Sequence, residues 1–245
     1  MGFYEEISKY YDILFPVEDE QVRFISECAG QSGNRILDVA CGAGGYAAAL
    51  AEKGYAVTAV DLDAAMVQTA RKKMESRGLD GTVMQSDMKA LMDTVKGKYQ
   101  SVFCIGNSIV HLGSTAEILK ALQQMYRLLE ESGVLVLQII NYDRVLKYGI
   151  NELPVIRNEE AGIEFTRKYE YEKEKGILHF NTVLRIAQDE GEQVLENSVE
   201  LLPLASNKMM ELLEQVRFRK IQFYGDFAKA PYTDNSYMLV AKAVK

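Results

Sequence analysis

The run Arg35-Ile-Leu-Asp-Val-Ala-Cys-Gly-Ala-Gly-Gly-Tyr46, followed by an alanine-rich stretch and then Ala56-Val-Thr-Ala-Val-Asp61, decides how the chain folds. It reads as a buried strand ending at Asp38, a tight turn through Gly42, Gly44 and Gly45, a helix over about Tyr46 to Lys53, and a second buried strand ending at Asp61. Short apolar runs bounded by glycine, with a helical stretch between them, make half of a nucleotide-binding α/β unit. Gly42-x-Gly44-x-x-Ala47, with Asp61 near the spacing of a ribose-binding acid, also satisfies the loose form of a dinucleotide fingerprint.

Working outward from this stretch, the alternation continues. Asp63 is placed to cap a helix running to Ser76, Thr82 to Ser86 reads as a strand, and Ser101 to Ile105 as an apolar strand stopping at Gly106-Asn107-Ser108. Thr115 to Leu129 is a long amphipathic helix, and Val134 to Ile140 is the most hydrophobic strand of the chain. Repeated strand-helix alternation predicts a parallel sheet with helices on both faces. Upstream, residues 3 to 14 place Phe3, Ile7, Tyr10, Tyr11 and Leu14 at helical spacing, as an amphipathic helix or an aromatic lid, and a second helix is expected over Val17 to Ala29.

At Asn141 the pattern changes. Phe165, Arg167, Tyr169 and Tyr171 alternate with polar neighbours, which predicts an antiparallel meander of three strands over Glu164 to Glu172, Ile177 to Gln188 and Gln193 to Leu202. Ser206 is placed to cap a helix to Val216, and Phe218 to Tyr224 and Ser236 to Val244 can form a terminal hairpin. With 245 residues, 48% of them hydrophobic, the chain can bury a full core, and a single domain over residues 1–245 is expected.

Composition narrows the partners. The formal charge is −7 and the basic residues are scattered, which points to a small molecule rather than to nucleic acid. Three cysteines (Cys28, Cys41, Cys104) without Cys-x-x-Cys spacing, and two histidines, suggest neither a disulfide framework nor a metal site. No basic-then-apolar leader and no membrane-length apolar run are read, so a cytoplasmic protein away from membranes is expected.

Asp38 decides which nucleotide fits. A pyrophosphate at a helix amino terminus is attracted by free backbone N–H groups, and a carboxylate in the same pocket would repel it. A cationic ligand inverts that sign. S-adenosylmethionine offers an ammonium and a sulfonium, so Asp38 is assigned to the ammonium, with the Gly42 and Gly44 backbone beside it, Asp61 to the ribose hydroxyls and Asp87 to the adenine amino group. A helix cap or a solvated loop is the alternative for each acid taken singly, whereas three acids at three successive strand ends suit one ligand.

Ile36-Leu-Asp-Val-Ala-Cys-Gly-Ala-Gly44, Val60-Asp-Leu-Asp63, Ser86-Asp-Met88 and the strand ending at Gly106 resemble the class I S-adenosylmethionine-dependent methyltransferases over about residues 34 to 140. Cys104 to Leu112, Asn141-Tyr-Asp143 followed by Leu146, and Gly225-Asp-Phe227 are further similar to the glycine N-methyltransferase branch. The resemblance implies a Rossmann-like, seven-stranded, mostly parallel sheet with a reversed last strand, and a small antiparallel insertion after the fifth strand. It implies a cofactor shell of Asp38, Ala40, Cys41, Gly42, Gly44, Asp61, Leu62, Met66, Asp87, Met88, Ile105 and Tyr10. Residues 1–32 are then helices and lid, residues 150–205 part of the acceptor pocket, and the chain a monomer or homodimer. The branch carries an arginine directly ahead of Asn-Tyr-Asp that holds glycine's carboxylate; here Ile140 stands there, which favours a less acidic acceptor unless Arg144, Arg157 or Arg185 reaches the pocket.

For methyl transfer to a small-molecule acceptor, at nitrogen with oxygen and carbon as the alternatives, Tyr4, Tyr10 and Tyr11 are candidates to cover the sulfonium. Gly106, Asn107 and Ser108 would form the floor, with Asn107 orienting the acceptor. His111 is the candidate proton acceptor, with a helix-start structural role as the alternative; Tyr11 and Asn107 complete the catalytic set. Tyr169 and Tyr171 could line the pocket or simply pack the strand, and Cys41 is read as small-residue packing. Two rival readings are a nicotinamide-dependent oxidoreductase built on the looser glycine match, and a non-catalytic protein that binds S-adenosylmethionine.

Overall fold

The computed structural model describes residues 6–30, 33–188 and 191–245. Along it, α1 (Tyr11–Leu14) and α2 (Asp19–Ala29) precede β1 (Arg35–Val39), α3 (Gly45–Glu52), β2 (Ala56–Asp61), α4 (Ala64–Ser76), β3 (Gly81–Gln85), α5 (Leu91–Thr94), β4 (Tyr99–Cys104), α6 (Thr115–Leu128) and β5 (Leu129–Ile140). After α7 (Tyr142–Tyr148) come β6 (Glu152–Asn158), β7 (Ile163–Glu172), β8 (Ile177–Gln188) and β9 (Gly191–Leu201), then α8 (Ser206–Gln215), β10 (Arg219–Tyr224) and β11 (Met238–Val244).

Seven strands form the main sheet in the order β10-β11-β5-β4-β1-β2-β3. The pairs β1–β2, β2–β3, β1–β4 and β4–β5 are parallel, whereas β11 runs antiparallel to both β5 and β10. The reversed last strand is therefore present. Successive residues of each strand feed opposite faces. Ile36, Val57, Phe103 and Val136 pack against α2, α3 and α4, while Leu37, Val60, Val102 and Leu135 pack against α6 and α8. Burial on both faces is why Val134–Ile140 reads as a continuous apolar run rather than an alternating one.

The antiparallel insertion has four strands, in the order β6-β7-β8-β9, not the three that the alternation predicts. The missed strand, β6, contains Pro154, which ordinarily argues against a strand. At a sheet edge, however, its missing N–H leaves no ladder bond unmade, and the register shifts between Leu153 and Ile156 beside it. Two further boundaries differ. β5 starts at Leu129, directly after α6, because Leu129 pairs with Tyr99 and the irregular stretch to Val134 is absorbed by a register shift. Ser206 does not cap α8: Ala205 holds the cap position without a side-chain bond, and the Ser206 N–H donates to Asp143 Oδ2 at 3.0 Å.

The amino-terminal segment is not one helix. Helical backbone at Glu6–Ile7 gives way to a turn at Ser8–Tyr10 before α1, with Ile7 and Leu14 buried against Ala43, Met66, Phe165 and Leu184. This places the segment between the glycine turn and the second sheet. Phe3 and Tyr4 lie outside the described residues. No helix among the described residues is long and apolar enough to cross a membrane.

Candidate active site

The carboxyl ends of β1, β2 and β3 lie side by side, with Val39 level with Val60 and Asp61 level with Gln85. The turn after β1 is strained at Ala40 (φ 62°), a conformation L-residues seldom adopt, and continues through Gly42 (φ 53°). A Cβ at Gly42 would come 2.7 Å from Tyr11 Oη, so only glycine admits Tyr11 across the turn. At Gly44 a Cβ would meet Ala70 Cβ at 2.6 Å, so this glycine permits close packing of α3 on α4.

Two cavities adjoin at this edge and share Tyr11, Ala40 and Gly106. The larger, about 470 Å³, is walled by Gly42, Asp61, Leu62, Met66, Asp87, Met88, Ser108 and His111 among others. The smaller, about 280 Å³, is lined by Asp38, Cys41, Tyr46, Ile105 and Gln138. Of the residues expected around the cofactor, all but Gly44 and Tyr10 line one or both cavities; Tyr10 packs beside Ile7 and Leu14 in the overlying cluster.

The three acids are in different electrostatic settings. Asp38 is 3% exposed, and its Oδ2 is sealed from solvent with no hydrogen-bond donor. Burial, with the neighbouring Asp61 carboxylate adding to it, pushes its pKa well above the usual carboxylate range. Asp61 accepts from the Gly42 N–H at 2.8 Å and the Asp63 N–H at 2.9 Å, which ties the glycine turn to β2. Each of its oxygens keeps a second lone pair for a ribose hydroxyl. Burial raises its pKa too, with those N–H groups pulling the other way. Asp87 accepts from the Lys89 N–H at 2.8 Å, and Lys89 pairs with Glu117 at 2.7 Å across the larger cavity.

This donor set fits a cationic nucleoside rather than a dinucleotide. The smaller cavity holds a buried carboxylate with an unused acceptor, which an ammonium satisfies and a pyrophosphate would not. The residues present suit S-adenosylmethionine: Asp38 would hold the methionyl ammonium, Asp61 the ribose, and Leu62, Met88 and Asp87 the adenine. Gly106 (φ 76°) leaves open space where a Cβ would stand, between the two cavities.

The floor is braced by residues the sequence did not single out. Gln138 Oε1 accepts the Gly106 N–H at 2.7 Å, and Gln138 O accepts the Asn107 N–H at 3.2 Å. The signal was present, since Gln138 is the one polar residue in the run Val134–Ile140. Asn107, expected to orient the acceptor, has its amide engaged: Nδ2 donates to Tyr142 Oη at 2.9 Å and Oδ1 accepts the Ile140 N–H at 3.0 Å. His111 ends a 3₁₀ turn, Ser108–His111, and borders the larger cavity. His111 is an exposed residue, yet desolvation by the protein around it lowers its pKa, which keeps the imidazole neutral at pH 7.

His179 pairs with Glu172 at 3.0 Å within the second sheet, away from these cavities. Tyr169 is 5% exposed and faces inward, whereas Tyr171, at 44%, faces solvent. Arg157 and Arg185 are spent on Glu164 and Glu192, and Arg144 lies over the Tyr237 ring, its Cζ 5.9 Å from the centroid.

The strand order, the glycine turn and the acids at the strand ends define a class of enzyme that transfers a methyl group from S-adenosylmethionine. Comparison with known proteins agrees. The methyltransferase domain family matches residues 36–133. A glycine/sarcosine N-methyltransferase of Halorhodospira halochloris is 30% identical over 233 residues, covering 95% of this chain and 83% of that protein. Another from Aphanothece halophytica is 26% identical over 252 residues, 98% of this chain and 88% of that one. Among solved structures, an S-adenosylmethionine-dependent methyltransferase from Clostridium acetobutylicum superposes with a TM-score of 0.82 at 17% identity, over 99% of each chain. A sugar N-methyltransferase from Streptoalloteichus superposes at 0.73 and 21% identity, over 100% of this chain and 93% of the other. The chain therefore belongs to the class I S-adenosylmethionine-dependent methyltransferases. Its cofactor is S-adenosylmethionine, and the nicotinamide reading is set aside.

Proposed function

We propose that the protein methylates a nitrogen atom of a small molecule, with the acceptor reaching the reacting centre from the side of Gly106, His111 and the second sheet. The observation that carries this is the orphaned Asp38 carboxylate, which supports seating the methionyl end of the cofactor in the smaller cavity and leaving the Gly106 side for the acceptor. The two glycine/sarcosine N-methyltransferases, similar along nearly the whole chain, support nitrogen as the atom methylated.

When bound, S-adenosylmethionine supplies an electrophilic methyl group on a cationic sulfur. The chain has to align the acceptor with it and keep water out. Tyr11, held across Gly42, covers the cavity from above, and Phe15 packs edge-on against Phe165 of the second sheet at 6.1 Å, closing the same side. The Gly106–Ser108 turn, fixed by Gln138 and Asn107, forms the floor. A protonated amine cannot attack, and a newly methylated amine must lose a proton. Neutral His111 at the cavity wall can take it on a ring nitrogen and release it to solvent.

The test is a panel of small amines, alcohols and thiols incubated with methyl-labelled S-adenosylmethionine and read by mass spectrometry. Label on amines alone is expected. Label confined to oxygen or sulfur acceptors overturns the assignment to nitrogen.

A further inference from the structure

The smaller cavity, proposed seat of the methionyl end, has acids in its wall and no cation. Asp12, Glu18 and Asp38 line it, and no lysine, arginine or histidine does. The methionyl end brings a carboxylate as well as an ammonium, and Asp38 answers only the ammonium. Lys73, on α4 beside Gly45, is already held by Asp12 in an ion pair. A carboxylate buried among acids has to find hydrogen-bond donors, because an anion without partners is costly to bury. The donors of this wall therefore decide where it can lie.

One of them is a buried amide with a free end. Gln138 is 9% exposed. Its Oε1 accepts the Gly106 N–H at 2.7 Å; that N–H must meet an oxygen, so the orientation of the amide is set and Nε2 is the end that remains. Among the described residues no acceptor engages Nε2. Its direction follows from the strands. Ile36, Phe103 and Val136 pack on the α2 side of the main sheet, so Asp38, Ile105 and Gln138, each two residues further on, point to that same side. Asp38 is level with Phe103, and Phe103 with Val136. Gln138 thus stands two strands across from Asp38 and two residues nearer the carboxyl edge, a Cα separation of about 12 Å from the strand spacing and rise. An aspartate side chain, an α-amino acid group and a glutamine side chain, with a hydrogen bond at each junction, bridge that distance. A second donor is Tyr46, in the first turn of α3. Its Oη accepts the Glu18 N–H at 3.5 Å, and its own proton has no acceptor among the described residues. Burial pushes the phenol up to about 12, so it stays a donor. Gln21, another amide of the wall, already donates to Glu18 at 3.3 Å.

We propose that Gln138 Nε2 binds the methionyl carboxylate of the cofactor, with Tyr46 Oη as a second donor, so that this carboxylate is held by uncharged groups. The proposal rests on the seating of the methionyl end by Asp38 and is independent of which atom is methylated. The two ends of one amide then serve two sides of the site: Nε2 holds the cofactor, and Oε1 holds the Gly106 turn that floors the acceptor space. Hydrogen bonds rather than an ion pair carry the carboxylate's share of the affinity, and the acids around it oppose that share.

The experiment titrates S-adenosylhomocysteine and decarboxylated S-adenosylhomocysteine, which keeps the amine, into the protein by calorimetry at pH 8, and reads the ratio of the two affinities. The wild type should prefer the carboxylate form about tenfold, the worth of a hydrogen bond to a charged group. Gln138→Met should bring the ratio close to one; the lost Gly106 contact weakens both ligands alike and cancels. Gln138→Glu keeps an oxygen for the Gly106 N–H and should lower the ratio to one or below, which decides the matter if Gln138→Met does not fold. Tyr46→Phe should lower it about threefold, and Lys73→Met should leave it unchanged. A wild-type ratio of one, or a ratio that survives in the Gln138 variants, overturns the proposal, as does a ratio lost in Lys73→Met instead. Asp38→Asn separates this from the seating itself, because both ligands carry the amine. If it weakens both while the Gln138 variants keep the ratio, the seating stands and the Gln138 assignment alone falls; if it weakens neither, the seating falls, and the placement of the acceptor with it.

Discussion

Asp38→Asn separates a cofactor carboxylate from a structural one, because it drives affinity and ligand-free stability in opposite directions. Asparagine keeps the shape and removes the charge. A charge-assisted hydrogen bond contributes about 1.5–3 kcal/mol, and removing one partner of a buried pair costs about 3–5 kcal/mol. With Asp38 3% exposed and its Oδ2 unbonded, a loss near the overlap, about 3 kcal/mol, is expected, or about 10²-fold weaker binding of S-adenosylmethionine. The ligand-free protein responds the other way. Its carboxyl has a raised pKa in the folded state, so it is protonated in both states below the unfolded value of about 4, and native stability falls as pH rises through the folded value. Asp38→Asn removes that burden and the repulsion from Asp61, so its ligand-free Tm should exceed the wild type's at pH 7 to 8, with the gap closing toward pH 4. Calorimetric titration and thermal unfolding across that pH range read both effects. An affinity within threefold of wild type, or a Tm that drops at neutral pH, would refute the reasoning.

Three other expectations follow from the geometry. Gly42→Ala forces an L-residue to φ 53° and pushes a Cβ toward Tyr11, so S-adenosylmethionine should bind about tenfold more weakly by titration, whereas Gly54→Ala, with φ 88° and open space around it, should cost stability alone. His111→Gln should lower kcat about 10²-fold and abolish an acid limb that falls below pH 6.5, the side to which the His111 pKa is shifted; an unchanged pH–rate profile excludes it as the proton acceptor. Asp143 accepts from the Ser206 N–H and from Tyr232 Oη at 2.6 Å, so Asp143→Ala strands the Ser206 N–H and leaves Tyr232 Oη with Asn141 Oδ1 alone, which should cost about 1–2 kcal/mol and lower Tm by about 2–8 °C without changing cofactor affinity.

The main sheet was legible because its signals are local. An apolar strand, a glycine turn and an acid at the strand tip lie within a few residues of one another, and Asp38, Asp61 and Asp87 repeat the pattern at three successive strands. Signals that depend on neighbours far along the chain were not legible. Pro154 hides β6 until its edge position is known, and Ser206 looks like a cap until Asp143, 63 residues earlier, takes its N–H. Tyr11 and Gly42 form the same kind of long-range fact: the sequence shows an aromatic segment and a glycine, but not that one lies across the other. Gln138 could have been noticed, and Arg167, named in the alternating run, could have been weighed, each as a polar side chain at a position where the strand pattern faces inward. Their partners, Gly106 for one and none for the Nε of the other, became visible only in three dimensions.

The central claim is that the glycine turn after β1 seats a cationic cofactor by its ammonium. A crystal structure with S-adenosylhomocysteine, which keeps that ammonium, tests it most directly. The amino nitrogen should lie within hydrogen-bond distance of Asp38, with the ribose hydroxyls on Asp61; a ligand that leaves Asp38 without a partner, or points its ammonium elsewhere, would contradict the account.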